Sequence, residues 1–532
     1  MSRLLPVLIL VPTLLSAQQP NLAAVADTVF TRWNSTHGPG CAVGIARGGR
    51  VLLTRGYGMA DLESGTPITA ETIFESGSVA KQFTAAATVL LALDGKLNLD
   101  DPARQSVPEL PEYDLPLTIR HLLTHTSGLR EWSALVAMQG WPRGTRAHTQ
   151  DLLFDVVVRQ RALNYPVGDY YSYTNSGYAL LFTIIERVSG MSFQEFFRAR
   201  LFGPLGMTST QWRDDFTRLV PGRAQAYTRR DGAWALEMPF EHVVGPGGLL
   251  TTVGDFLTWN DAITNRALGA VTDSLSRQMR LTSGREIQYA LGLRFGRYRG
   301  VPQVSHSGST AGYQTFLARY PDRGNLSIAV LCNSSAANPT AHAHALVDRL
   351  ITDFPPAPML DTTAVDPASL AGFAGLYRNT RWHEALTVDP EDLARVRRRS
   401  DGTYWSPQGT LILEATASDA PRRLGILQVD GDTLLFDYVA ASAWTPSSRD
   451  LAAFVGRYHS DELDTTWEVK TLGDTLALSP RAGVVLRFTP TYPDGFEGDE
   501  GAVWFTRDRR GQVTAMHVSQ SRMWDLTLLR ER

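Results

Sequence analysis

Residues 75–83 read ESGSVAKQF, and they open the apolar run VAKQFTAAATVLLAL (79–93), which has the makings of a buried helix carrying one charge, Lys81. Ala and Leu are strong helix formers, Gly95 is well placed to end the helix, and apolar residues fall on nearly every face. Lysine is seldom buried alone. Desolvation pushes it towards the neutral amine, which accepts protons. Ser78 and Lys81 stand at i and i+3 on one face. Ser78 also sits at the helix N-terminus, where free N–H groups favour developing negative charge. A hydroxyl, a desolvated amine and an electropositive backbone within one turn outline an activated serine nucleophile. S-x-x-K is short and common, and the same residues also fit a plain N-cap serine with a lysine reaching for solvent.

The surrounding composition is that of an ordinary globular protein: 532 residues, 43% hydrophobic, 20% charged, net charge −3. The length suggests about three domains, and nothing in the charge points to nucleic acid or to an anionic membrane surface. The first residues, MSRLLPVLILVPTLLSAQQP, combine Arg3, an apolar stretch from Leu4 to Leu15, and small residues at Ser16-Ala17. This pattern reads as a secretory signal peptide over 1–17, too short to span a bilayer comfortably. No Cys follows it to carry a lipid. The expected mature protein is exported, periplasmic or secreted, with no membrane span.

Beyond Ser78 the chain divides by pattern. CAVGIARGGRVLLTRGYG (41–58) is two β-rich runs around Gly48-Gly49, a strong hairpin signal. Helical patterns follow, strand signals return at 301–333, and TAHAHALVDRLITDF reads as a closing helix. Early strands, a helical middle and late strands imply an α+β domain over 18–354, its sheet built from both ends and the helices inserted beside it. PPAPMLDTTAVDP (355–367) is a linker by composition. A repeat then appears: LAGFAGLYRN begins at Leu370 and LAAFVGRYHS at Leu451, so that Phe373, Gly375 and Tyr377 answer to Phe454, Gly456 and Tyr458. Two small antiparallel barrels, 368–446 and 447–532, are expected.

Two more stretches bear on the chemistry. YYSYTNSGY (170–178) holds Tyr173-Thr174-Asn175 just before a helix, and SHSGSTAGY (305–313) holds His306-Ser307-Gly308 on a strand edge. Singly, each also fits a bland loop or surface strand. No G-x-S-x-G elbow occurs, which removes an α/β-hydrolase reading. His121 and His125 lack the Glu of H-E-x-x-H and are read as structural. No metal cluster and no cofactor is expected.

Taken together, Ser78-Val79-Ala80-Lys81, Tyr173-Thr174-Asn175 and His306-Ser307-Gly308 resemble, in order and spacing, the three motifs of the serine β-lactamase and penicillin-binding protein superfamily. They are most similar to its class C β-lactamase-like branch of D-aminopeptidases, D-Ala-D-Ala carboxypeptidases and esterases. HLLTHTSGL (121–129) and GPGGLLTTVGDF (245–256) look like recurrent segments of that branch, and the two β units look like the accessory barrels of D-aminopeptidase-like members. The resemblance implies a β-lactamase/transpeptidase-like catalytic domain. Ser78 would form an acyl-enzyme on a small-molecule or short-peptide substrate, with Lys81 or Tyr173 as base. Asn175, His306, Gly308 and Ser309 would line the substrate site, and the N–H groups of Ser78 and Ser309 would form the oxyanion hole. A small amide or D-amino-acid peptide is the favoured substrate. An ester, a β-lactam, or binding without catalysis are the alternatives.

Three finer expectations follow from the resemblance. The first and last strands of such a sheet are antiparallel neighbours, which would bring Cys41 to Cys332 as a disulfide; the sequence by itself also fits two buried thiols. A barrel loop is expected to reach the active site, with the acidic turn 494–501 (Asp494, Glu497, Asp499, Glu500) as the candidate. His306 stands where β-lactamases of the superfamily commonly have Lys. With an ordinary pKa of about 6.5, it should disfavour carboxylate substrates at pH 7.5, recover them towards pH 6, and be improved for penicillin by His306→Lys.

Overall fold

The hairpin signal at Gly48-Gly49 is realised as strands β1 (Cys41–Arg47) and β2 (Arg50–Tyr57), both glycines adopting the positive φ that a two-residue turn needs. The structure is a computed structural model describing residues 21–356, 361–407, 409–414, 422–428 and 431–532; the proposed signal peptide lies outside the described residues. The late strands are β3 (Arg294–Tyr298), β4 (Val301–Thr310), β5 (Tyr313–Tyr320) and β6 (Leu326–Cys332). They join the hairpin in one antiparallel sheet of order β3-β4-β5-β6-β1-β2.

The chain thus closes its sheet by placing its last strand beside its first. Cys41 and Cys332 are direct partners in that register and form a disulfide, with Cα atoms 4.0 Å apart. Asn333 N–H donates to the Gly40 carbonyl just beyond them. The cysteines therefore occupy a non-hydrogen-bonded pair, where antiparallel strands approach most closely.

Both faces of the sheet are covered, which is why β1 is buried at every position except Arg47. Val43 and Ile45 lie on one face with Ile328 and Val330, under helices α1 (Leu22–Val29) and α5 (Pro339–Leu350). Ala42, Ala46, Ala329 and Leu331 lie on the other, against α4 (Val253–Thr264) and the helical insertion. At the centre of the insertion α2 (Lys81–Leu93) packs on α3 (Asn175–Ser189). Every residue of α2 from Lys81 to Val89 is buried. Among the described residues no helix is long and apolar enough to cross a membrane.

The repeat has a physical meaning. In each copy the fully buried tyrosine donates its hydroxyl to the carbonyl of the phenylalanine four residues back, Tyr377 to Phe373 at 2.9 Å and Tyr458 to Phe454 at 2.8 Å. The second copy is a closed barrel of eight strands, from Gly456–Ser460 to Met523–Arg530. The first is an eight-stranded sheet that, among the described residues, does not close, which corrects the expectation of two barrels. Its strand Ala385–Val388 ends just before a short helix starting at Pro390, a residue that cannot donate to a ladder. The next strand, Arg397–Arg399, pairs instead with Thr362–Ala364. Those three residues belong to the stretch read as a linker, so part of it serves as an edge strand; residues 357–360 lie outside the described residues.

The barrel is bolted to the first domain along segment 130–141. Trp467 Nε1 donates to the Met138 carbonyl at 2.9 Å, and Arg481 Nε to the Gly140 carbonyl at 2.7 Å. Arg130, almost fully buried, reaches Glu462 at 2.8 Å and the carbonyls of Trp524 and Asp525.

Candidate active site

Ser78 lies in a single 3-10 turn, Gly77–Ala80, that leads directly into α2. Strand β4 passes so close to this turn that a side chain at Gly308 would collide with the Ser76 carbonyl and come within 2.5 Å of Thr315 Oγ1. A Cβ on Gly77, whose φ is +52°, would stand 2.6 Å from the Ser309 nitrogen. Thr315 Oγ1, opposite Gly308 on the neighbouring strand β5, ties the turn to the sheet by donating to the Ser76 carbonyl at 2.7 Å. Glycine at both places is what allows the Ser309 end of the strand to lie beside Ser78.

Lys81 is fully buried. Its Nζ has three neighbours within hydrogen-bond distance: Asn175 Oδ1 at 2.7 Å, the Pro246 carbonyl at 2.7 Å and Ser78 Oγ at 3.1 Å. Burial drives its pKa far below the ordinary value; Glu131 opposes that shift, while Arg522 and Arg143 reinforce it. A neutral amine has two hydrogens and one lone pair. Asn175 and Pro246 accept the hydrogens, which leaves the lone pair facing the Ser78 hydroxyl.

Asn175 begins α3 after the N-cap Thr174. The buried Glu131 carboxylate holds it by accepting from Asn175 N at 2.6 Å and Nδ2 at 3.2 Å. Tyr173 packs its ring 4.9 Å from Lys81 Nζ and 4.2 Å from the His125 ring. Its hydroxyl faces Ser78 closely enough to be stabilised by it, yet makes no hydrogen bond of normal geometry. Burial raises the phenol well above its ordinary pKa, and this outweighs Ser78, Arg294 and Arg522, which pull it down. Desolvation is the larger effect, so of the two candidate bases Tyr173 is held as the phenol.

His306 is also corrected. It is buried, with Nδ1 2.6 Å from the Ser307 carbonyl and Nε2 3.1 Å from the Tyr289 hydroxyl. The short contact to a carbonyl puts the proton on Nδ1, so Nε2 accepts from Tyr289. Burial and the nearby Lys81 lower its pKa to about 3. It therefore stays neutral throughout the pH range in which it was expected to titrate.

Ser78, Tyr173, Asn175, His306, Gly308 and Ser309 all line one cavity of about 470 Å³, and Lys81 lies immediately behind Ser78. The sequence reading missed the layer behind them. The two recurrent segments now have work: HLLTHTSGL delivers His125, whose Nδ1 accepts from Thr174 N, and leads to Glu131, while GPGGLLTTVGDF delivers the Pro246 carbonyl. His121 caps a helix with Thr118. Arg294 and Arg522 also line the cavity, and no motif announced either. The acidic turn is elsewhere. Asp494 pairs with Arg507 at 2.7 Å, Glu497 accepts from Ala385 N of the preceding β unit, and Glu500 accepts from Gln520. The barrel segment that reaches the cavity is the turn bearing Arg522.

A profile of the Beta-lactamase family matches residues 25–353. A D-aminopeptidase of Cereibacter sphaeroides (strain ATCC 17023) is 27% identical over 520 residues, spanning 94% of this chain and 93% of that protein. Penicillin-binding protein 4* of Bacillus subtilis (strain 168) is 30% identical over 316 residues, 56% of this chain and 68% of the relative. Among solved structures, the octameric penicillin-binding protein homologue from Pyrococcus abyssi superposes with a TM-score of 0.55 at 22% identity, covering 96% of this chain and 99% of that one, a likeness of fold. The chain belongs to the β-lactamase family and is a serine hydrolase of that family, similar over nearly its whole length to a D-aminopeptidase.

Proposed function

We propose that the protein hydrolyses small amides and peptides, D-amino-acid peptides foremost, through an acyl-enzyme on Ser78. The observation that carries this reading is the Ser78 Oγ to Lys81 Nζ contact of 3.1 Å, with Lys81 desolvated and its other two positions occupied by Asn175 and Pro246. Ser78 Oγ attacks the carbonyl carbon as Lys81 takes its proton. The oxyanion forms between the N–H groups of Ser78 and Ser309, donors of a kind worth about 10²–10³ in rate each. Tyr173, a neutral phenol, gives its proton to the leaving nitrogen and regains one from the Lys81 ammonium. Water then cleaves the acyl-enzyme by the same path in reverse.

The D-amino-acid preference draws on the similarity to the Cereibacter sphaeroides D-aminopeptidase across both chains. We further propose that the protein is exported. The apolar leader supports this, as does the Cys41–Cys332 disulfide, a bond that persists in oxidising compartments. A panel of D-amino-acid amides, N-acetyl-D-alanyl-D-alanine, short esters and nitrocefin tests the reading. Hydrolysis of D-configured amides or peptides above the L-forms is expected. Turnover of esters or nitrocefin with none of the amides or peptides would refute the substrate assignment.

A further inference from the structure

Three arginines and no Asp or Glu line the cavity beside Ser78. Arg143 is neutralised by a two-pronged pair with Glu241, at 2.7 and 3.1 Å. Arg294 donates to the Tyr171 hydroxyl. Arg522 is different. It is exposed, its guanidinium lies 5.2 Å over the Tyr173 ring, and among the described residues it joins no ion pair.

Its backbone is nevertheless held firmly. The Arg522 carbonyl accepts from Glu131 N at 3.0 Å and from Asn164 Nδ2 at 3.1 Å, and Trp524 N donates to Asn164 Oδ1 at 2.7 Å. Glu131 is also the residue whose carboxylate fixes Asn175. The turn between the last two barrel strands is therefore indexed to the catalytic residues by the hydrogen bonds of a single residue.

We propose that Arg522 selects substrates that bring a carboxylate into the Ser78 cavity, so that the C-terminal barrel is a specificity element supplied in cis. This rests on the serine hydrolase reading above. A guanidinium held over an aromatic ring at a cavity mouth presents N–H donors that match a carboxylate's two oxygens. A substrate ammonium would meet Arg294 and Arg522 with no lining carboxylate to offset them. The arrangement favours a peptide bound by its free C-terminal carboxylate over one bound by its free N-terminus. It also serves the chemistry. Arg522 disfavours the charged form of Lys81, and a bound carboxylate cancels that repulsion as Lys81 takes its proton.

The test compares kcat/KM for N-acetyl-D-alanyl-D-alanine and for its C-terminal amide, which differ only in the charge, on the full chain and on Arg522→Ala and Arg522→Lys. The wild type is expected to prefer the acid by about tenfold or more, as a charge-assisted bond would give. Arg522→Ala should erase most of that preference, and Arg522→Lys should restore part of it. An equal loss on both substrates would mean that Arg522 only tunes Lys81, and it overturns the proposal. So does an unchanged ratio, a preference for the amide, or an enzyme that cleaves p-nitrophenyl acetate and neither dipeptide. Failure of the underlying reading looks different: no p-nitrophenol burst in the wild type, or a burst that survives in Ser78→Ala.

Discussion

Lys81 and His306 sit in the same buried pocket and respond to it with opposite consequences for pH dependence. Desolvation lowers both pKa values. A base whose charged form is disfavoured works above its lowered pKa and fails as pH falls through it. The kcat/KM for p-nitrophenyl acetate is therefore expected to fall on the acid side as Lys81 charges, with no contribution from His306 between pH 5 and 8. Profiles of the wild type and His306→Gln check this; a step near 6.5 that vanishes in the variant would contradict it. His306→Lys, expected from sequence to help penicillin turnover, should instead depress ester and penicillin hydrolysis alike. It would bury a second lysine amine near Lys81 and break the Tyr289 hydrogen bond. Glu131→Gln tests the layer behind the site: exchanging a carboxylate that accepts from Asn175 N and Nδ2 for an amide loosens the residue that orients Lys81. A fall in kcat of about 10²-fold is expected, with folding checked by circular dichroism, and an unaltered kcat would remove Glu131 from the account.

The nucleophile turn and strand β4 interlock as two elements, and Gly308 is the point of closest approach. Gly308→Ala drives a methyl into the Ser76 carbonyl, which must push Ser309 away from Ser78. A loss of about 10²-fold in kcat and about 1–3 kcal/mol in stability is expected from kinetics and urea unfolding. Full activity in the variant would show that this approach does not matter. Legibility from sequence divides along the same line. The buried Lys81 helix, the β1–β2 hairpin, the closing helix α5 and the three motif stretches were legible because periodicity and turn chemistry are local. The Phe–Gly–Tyr repeat was legible because it recurs as a pattern. What could not be read were groups that act through their backbone or from a distance: the Pro246 carbonyl, the Glu131 carboxylate and the Arg522 turn. The pKa of His306 was misjudged for a related reason, since burial is a property of the packed whole. Among the described residues the first β unit does not close, and the strand exchange beside Pro390 that leaves it open is a long-range pairing.

At the scale of the molecule, two devices hold distant segments together. The disulfide ties β1 to β6 across a sequence separation of 291 residues. Replacing both cysteines by alanine is expected to lower stability by about 2–4 kcal/mol, read from urea unfolding midpoints, while leaving Ser78 labelling intact. An unchanged midpoint would mean that the sheet needs no covalent closure. The barrel is the second device, because the segment it grips through Trp467, Arg481 and Arg130 also carries Glu131.

The central claim is that Ser78 is the atom acylated. Intact-mass spectrometry of the full chain after exposure to a fluorophosphonate, followed by peptide mapping, tests it most directly. The account predicts one adduct per chain, located on the peptide containing Ser78, and none in Ser78→Ala. An adduct of the same stoichiometry in Ser78→Ala, or one mapped to another serine, would contradict it.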